Sequence, residues 1–204
     1  MTAANPNTRL EAFCDGVFAI ALTLLIIDIK IPPTIEINST AEFWLAIQHI
    51  VPSIAAFVLS FIIILITWVN HHNSFTLINK SSPSFIYANG FLLLTVVFIP
   101  FPTSLLGEHI LSDHASPAVI LYTAIIALQG FAWVLLSAAS LKTELAKNEK
   151  AIEQIKINRR NGYITFVAYS LMAIISFWFP LTIAIITTMT LVFWLLYGVK
   201  MKHE

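Results

Sequence analysis

The amino-acid sequence predicts an all-α, polytopic membrane protein that crosses the bilayer six times. Apolar residues make up 58% of the chain and charged residues 11%, whereas soluble domains carry about half and about a quarter. Six apolar segments approach the ~20 residues that a helix needs to cross the hydrocarbon core. These segments are residues 10–29, 44–68, 84–105, 118–140, 162–179 and 181–199, and we expect one six-span domain over residues 1–204.

The basic residues indicate how the chain is oriented. With six alternating spans, ten of the eleven lysines and arginines fall on the side of the two termini, and the opposite side carries only Lys30. Cytoplasmic segments are enriched in lysine and arginine, so we expect a multi-pass protein of the plasma membrane with both termini in the cytoplasm. The ten residues are Arg9, Lys80, Lys142, Lys147, Lys150, Lys156, Arg159, Arg160, Lys200 and Lys202.

Capping residues and prolines predict where helices begin and break. We expect Pro52 to kink the second helix, Pro100 and Pro102 to break or end the third, and Pro180 to separate the last two spans. The capping signals at helix starts are Thr8-x-x-Glu11, Ser39-x-x-Glu42, Ser82-Pro83 and Ser116-Pro117.

The longest polar stretch is residues 141–161, where lysines and glutamates alternate. This pattern predicts a solvated helical extension of a span. A basic patch for anionic lipid headgroups is the alternative, and the interspersed acids disfavour it.

The first apolar segment has an unusual distribution of residue types. Arg9 and Asp15 stand at its cytoplasmic mouth, where charges are costly and seldom accidental. Further along, three branched side chains at i, i+4 and i+7 share one helix face, and we call Ile20, Leu24 and Ile27 the apolar stripe. Thr23 falls in the same sector, and a small-residue edge that lets backbones approach closely borders it. This edge consists of Ala12, Gly16, Ala19 and Thr23.

Asp15 points away from the stripe, so we expect it to face the protein interior and to need a partner. His71 and His72 lie at the same depth, at the cytoplasmic end of the second segment, and are candidate partners for Asp15 or Arg9. The simpler interpretation is that both histidines cap a helix end. The sequence predicts no metal site, because adjacent helical residues diverge by about 100° and no third ligand stands at a suitable spacing.

The pattern Arg9-x-x-x-Phe13-x-Asp15, continued by Phe18-Ala19-Ile20-Ala21-x-Thr23-Leu24-Leu25, resembles the first-span signature of the transmembrane protein 175 family of potassium channels. The Trp68-x-Asn70-His71 motif at the end of the second span is similar to that family as well. The likeness covers the six-span layout of the whole chain, and the specific motifs lie in residues 9–28 and 68–75.

The resemblance implies a potassium-permeable cation channel that is not an enzyme. Family members have no glycine-rich carbonyl filter, and apolar rings on the first span form the constriction and filter. Short members carry one six-span unit and form homotetramers around a central pore. The implied partners are therefore other copies of the chain, the lipid bilayer and permeant monovalent cations, chiefly K⁺, with no cofactor and no nucleic acid.

Residue by residue, the resemblance assigns the pore constriction to Ile20, Thr23, Leu24 and Ile27. It also implies that Arg9, Phe13 and Asp15 form a lock at the cytoplasmic end. Together with their candidate partners His71 and His72, we call these residues the cytoplasmic structural lock. Cys14 departs from the family, which usually has serine there, and a thiol is a weaker hydrogen-bond donor than a hydroxyl. Asp28, at the outer end of the helix, either concentrates cations or pairs with Lys30.

Three other interpretations of the same residues compete with the channel. The apolar stripe is also what a helix needs to pack against lipid or other helices. A secondary transporter is the main alternative function, but transporters place charges near the membrane midplane. Spans two to six have no aspartate, glutamate, lysine or arginine in their cores. A membrane enzyme would need a nucleophile, a base or a metal at one depth, and only the region of Asp15, His71 and His72 offers candidates.

Overall fold

A computed structural model describes residues 7–30 and 37–200, with side chains up to Trp194 apart from that of Asp28. This part of the chain is all-helical, as predicted, and comprises eight α-helices and a 3₁₀ turn, Leu25–Asp28. The helices are α1 (Thr8–Leu24), α2 (Thr40–His49), α3 (Val51–Thr76), α4 (Pro83–Phe98), α5 (Pro100–His109), α6 (Ala115–Lys142), α7 (Glu149–Ile175) and α8 (Pro180–Lys200).

Four stretches of the described chain are long and apolar enough to cross a membrane: Thr8–Ile27, Thr40–Thr76, Pro83–His109 and Ala115–Lys142. A shorter apolar helix covers Pro180–Trp194. Helix α7 begins in the polar segment, so its first half is charged, and it continues without a break to Ile175. The predicted helical extension over residues 141–161 is therefore confirmed for 149–161, whereas residues 143–148 form a loop between α6 and α7. The limits of the six predicted spans stay a prediction.

Prolines mark three helix breaks, although Pro52 accompanies a break where we expected a kink, and Pro102 lies inside α5 without ending a helix. A single residue separates α2 from α3, and Pro52 is the second residue of α3. Pro100 and Pro180 are the first residues of α5 and α8. A proline lacks the N–H that would continue the preceding helix, which explains each break.

Two of the four capping predictions are confirmed. Ser39 accepts a hydrogen bond from the Glu42 amide, and Ser82 accepts one from the Phe85 amide. The other two are wrong: α1 already includes Thr8, and α6 begins at Ala115, one residue before Ser116. Both helices begin before the residue that we expected to cap them, so that residue lies inside the helix.

Helix α6 lies at the centre of the bundle and packs against α4, α5, α7 and α8. Its closest approach is to α7, at a pair of glycines. A Cβ built on Gly130 would lie 2.7 Å from the Phe166 amide nitrogen, and one on Gly162 would lie 2.9 Å from the Gly130 carbonyl oxygen. Only glycine at these positions allows the two backbones to come so close.

The loops that follow α3 and α6 lie at the same end of the bundle. The Asn79 amide donates to the Leu145 carbonyl at 3.0 Å, and the Lys147 amide donates to the Leu77 carbonyl at 2.9 Å. These bonds flank a single antiparallel β-bridge between Ile78 and Ala146. The predicted topology places both loops on the cytoplasmic side, and the pairing agrees with that placement.

Candidate functional site

Helix α1 has two faces with opposite environments. Its inner face, which packs on α3 and α4, consists of Cys14, Phe18 and Ala21, with Leu25 following in the 3₁₀ turn. The outer face is apolar and the described residues of the subunit leave much of it uncovered. The exposed fractions there are 62% for Phe13, 59% for Ile20, 38% for Leu24 and 67% for Ile27.

The small-residue edge lies on the same open side. Ala12, Gly16, Ala19 and Thr23 are all exposed, and a Cβ built on Gly16 would meet nothing within 4 Å. The Thr23 hydroxyl donates to the Ile20 carbonyl at 2.9 Å. The hydroxyl hydrogen of Thr23 is therefore bonded within α1, and the exposed surface around Ile20 stays largely apolar.

The 3₁₀ turn extends the apolar stripe beyond the end of α1. Residues three apart eclipse each other in a 3₁₀-helix, so Ile27 falls in line with Leu24 instead of drifting around the axis. A projection at a uniform 100° per residue does not anticipate this turn. The side chain of Asp28, at the end of the turn, lies outside the described residues.

Asp15 binds a residue of the second-span motif, although not a histidine. The Trp68 indole Nε1 donates to Asp15 Oδ1 at 2.8 Å, and the Trp68 ring lies 6.2 Å from the His72 ring, centroid to centroid. The expectation that Asp15 faces the interior is wrong for the single subunit, because its side chain lies at the exposed edge between α1 and α3. The indole reaches out to the carboxylate, so the acid finds a partner without being buried.

His71 belongs to a separate, buried polar chain. Its Nε2 lies 2.7 Å from Asn89 Oδ1, and Asn89 Nδ2 donates to Cys14 Sγ at 3.1 Å. A carbonyl oxygen only accepts, so His71 donates through Nε2–H. The His71 ring also contacts Phe18 and Phe75, with centroids 5.2 Å and 4.9 Å away.

This chain ties α1, α3 and α4 together through three buried side chains. Sequence reasoning missed Asn89. The signal was available, because an asparagine inside an apolar span is costly unless a partner is near. Cys14, which stands where the resemblance leads one to expect serine, serves here as the acceptor.

The remaining residues of the proposed lock stay at the open side of α1. Arg9 and Phe13 are exposed, and Phe13 makes no ring contact among the described residues. A single subunit thus links Asp15 to His72 through Trp68, buries His71 and leaves Arg9 and Phe13 facing outward. In the described ranges, no group of three metal-ligating side chains comes together.

The fold and this site define the chain as a multi-pass, α-helical membrane protein with an unpartnered apolar helix face. Comparison with known proteins identifies the family. Residues 9–100 match the family model described as the endosomal/lysosomal potassium channel TMEM175.

Two relatives and one solved structure support the match. A potassium channel of Chamaesiphon minutus is 45% identical over 117 residues, 57% of each chain, so the aligned part is little more than half of that relative. A potassium channel of a Chryseobacterium species is 31% identical over 172 residues, which cover 84% of this chain and 83% of the relative. The crystal structure of a lysosomal potassium-selective channel TMEM175 homolog from Chamaesiphon minutus aligns with a TM-score of 0.76 and 34% identity over 94% of this chain and 97% of that one. The chain belongs to the TMEM175 family.

Proposed function

We propose that the protein is a potassium-permeable cation channel of the plasma membrane and that α1 lines its pore. The observation that carries the proposal is the environment of α1, which leaves the bulky apolar side chains of Phe13 and Ile20 exposed on one face while the opposite face is packed. The names of the relatives, which are potassium channels, give the permeant ion. The channel needs no cofactor.

The exposed face of a single helix supports assembly into a homotetramer. One stripe cannot enclose a pore, and identical subunits close most simply around a rotation axis. Four copies of α1 around a fourfold axis turn each exposed residue of the stripe into a ring. Gly16 has open space around it, so neighbouring helices can approach closely at the small-residue edge.

Rings of Ile20, Leu24 and Ile27 form the constriction in this proposal, with Thr23 beside them. Such rings offer no oxygen ligands, so an ion must shed part of its hydration shell with little compensation. K⁺ loses its water more cheaply than Na⁺. The filter therefore favours K⁺ modestly and gates by dewetting.

The proposed lock holds α1 in place at the cytoplasmic mouth. The Asp15–Trp68 hydrogen bond supports this role, because it joins α1 to α3 at that depth. The His72 ring lies 6.2 Å from the Trp68 ring, and His71 is connected to α1 through Asn89. Arg9 and Phe13 point away from their own subunit, where an adjacent copy meets them in the tetramer.

The orientation with both termini in the cytoplasm draws support from charge and from the loops. Lys80 and Lys147 belong to the two loops that pair through backbone hydrogen bonds, so the basic loops share one side of the bundle. That is the distribution expected for the cytoplasmic side.

The buried residues favour passive conduction over coupled transport. Within the described residues, the buried polar side chains are hydroxyls, amides and His71, with no aspartate, glutamate, lysine or arginine. Coupled transporters and proton pumps rely on such charges at membrane depth.

Reconstituted protein provides the test. In proteoliposomes the protein should carry K⁺ faster than Na⁺ under equal gradients, and its mass in detergent should be that of four subunits. A positively charged thiol reagent should block Ile20→Cys and spare the wild type, whose Cys14 is buried. A monomer that carries no K⁺ would contradict the proposal.

A further inference from the structure

An open groove lies between α4 and α6 on the outside of the bundle. Its volume is about 400 Å³, within the range of small-molecule sites. Helix α1 packs on α3 and α4, and it meets α4 at Asn89, which does not line the groove. Apolar side chains form its walls, namely Ala88, Phe91, Leu135, Ala138 and Ala139.

The groove changes from polar to apolar along its length. Ser84, Tyr87 and Lys142 line one end, and Phe91 and Leu135 line the other. On each helix these ends are seven residues apart, which corresponds to roughly 10 Å along the axis. The Ser82 and Thr143 hydroxyls, 3.1 Å apart, fix the polar end where α4 begins and α6 ends.

The polar end carries a cation with no acidic partner. Lys142 is exposed, and the ion pair found within the described residues joins Lys156 to Glu153. The paired loops bring Lys80 and Lys147 to the same end of the bundle, while Glu144 is the nearest acid in sequence. The mixed charges of residues 149–161 do not line the groove, so they do not cancel Lys142 there.

We infer that this groove binds one anionic phospholipid of the cytoplasmic leaflet. The phosphate lies at Lys142, with the Ser84 and Tyr87 hydroxyls as hydrogen-bond donors, and an acyl chain follows the apolar walls. The polarity of the groove runs in the same direction as that of a lipid, from headgroup to chain. A lysine at the membrane surface extends its charged end to the headgroups while its stem covers apolar surface, and Tyr87 suits the same interface.

Native mass spectrometry of the delipidated, full-length protein tests the inference. Phosphatidylglycerol should bind more tightly than phosphatidylcholine. Lys142→Gln should weaken phosphatidylglycerol binding about fivefold and leave phosphatidylcholine binding unchanged. The matched control is Lys147→Gln, which removes a cation from the same end but not from the groove, and it should bind like the wild type.

A second variant tests the apolar part of the groove. Ala138→Trp fills it and should reduce binding of both lipids, whereas Leu128→Trp, on an exposed part of α6 outside the groove, should not. Equal effects of Lys142→Gln and Lys147→Gln would show attraction by general surface charge and overturn the inference. A change in subunit number with Ala138→Trp would overturn it too, because the groove would then be covered by a second copy.

Discussion

Phe18 and Ile20 are two residues apart on α1, and yet Phe18 is 1% exposed while Ile20 is 59% exposed. Phe18 packs against His71 in the core of the subunit. Ile20 faces the open side, where the described residues leave most of its side chain uncovered. The same helix therefore anchors itself with one face and presents a bulky apolar surface with the other, and the predictions below separate these two roles.

The hydrogen bond between Asp15 and Trp68 should matter for stability and not for selectivity. Asp15→Ala removes the acceptor, and Trp68→Phe removes the donor but keeps a ring. Each should lower the thermal stability of the tetramer, and the double variant should cost less than the sum, because both changes remove one bond. The K⁺ over Na⁺ preference should stay as in the wild type. A reversed preference in an intact Asp15→Ala tetramer would place Asp15 in the filter.

The buried hydrogen-bonded chain from Cys14 through Asn89 to His71 should lose stability when its central residue, Asn89, is replaced by an apolar one. Asn89→Leu leaves the His71 N–H without a partner in the core, which costs about 1–3 kcal/mol. Cys14→Ser keeps an acceptor at the same place and should have a much smaller effect. The stability of both variants is measured by heating samples and then determining the fraction of folded protein by size-exclusion chromatography. Equal stability of Asn89→Leu and the wild type would mean that the chain contributes nothing to folding.

The glycine contact between α6 and α7 should respond to a single methyl group. Gly130→Ala places a Cβ about 2.7 Å from the Phe166 amide nitrogen, and the strain should cost about 1–3 kcal/mol. Gly90→Ala is the matched control, because a Cβ there meets nothing within 4 Å and alanine is the better helix former. The same unfolding measurement should show a loss for the first variant and no loss for the second.

A substitution at Gly16 should affect assembly of the tetramer and not folding of the subunit. The surroundings of Gly16 in one subunit are open, so Gly16→Leu should leave the fold of the subunit intact. If four α1 helices meet at the small-residue edge, the same change should lower the fraction of tetramer, as measured by mass in detergent. A fully tetrameric Gly16→Leu protein would show that this edge faces lipid.

Much of the fold could be predicted because the signals are local. Apolar length fixes the long helices, and Pro52, Pro100 and Pro180 fix their breaks, since a missing N–H acts wherever it stands. Helix α1 begins one residue earlier than the capping pattern predicts, and α6 begins two residues earlier. A capping pattern does not distinguish the residue before a helix from its first residue.

The contacts of the site depend on which helices meet, and the sequence does not encode that locally. Helical periodicity is enough to predict that Ile20 and Leu24 share a face, but not the 3₁₀ turn that carries Ile27. The choice of Trp68 over His71 as the partner of Asp15, and the role of Asn89, depend on the packing of α1 against α3 and α4. A buried asparagine in the sequence indicates that a hydrogen-bond partner is needed, but it does not identify that partner.

The reversal potential of the Ile20→Asn channel, with K⁺ on one side of the bilayer and Na⁺ on the other, tests the central claim most directly. Four amide groups at the axis supply oxygen ligands to a partly dehydrated ion and lower the barrier for both cations. Leu24→Asn should act in the same way more weakly. Leu22→Asn is the control, because Leu22 packs against the core and its change should harm folding instead of selectivity. We expect conductance to rise and the K⁺ preference to fall in Ile20→Asn, whereas an unchanged K⁺ preference would exclude Ile20 as the filter.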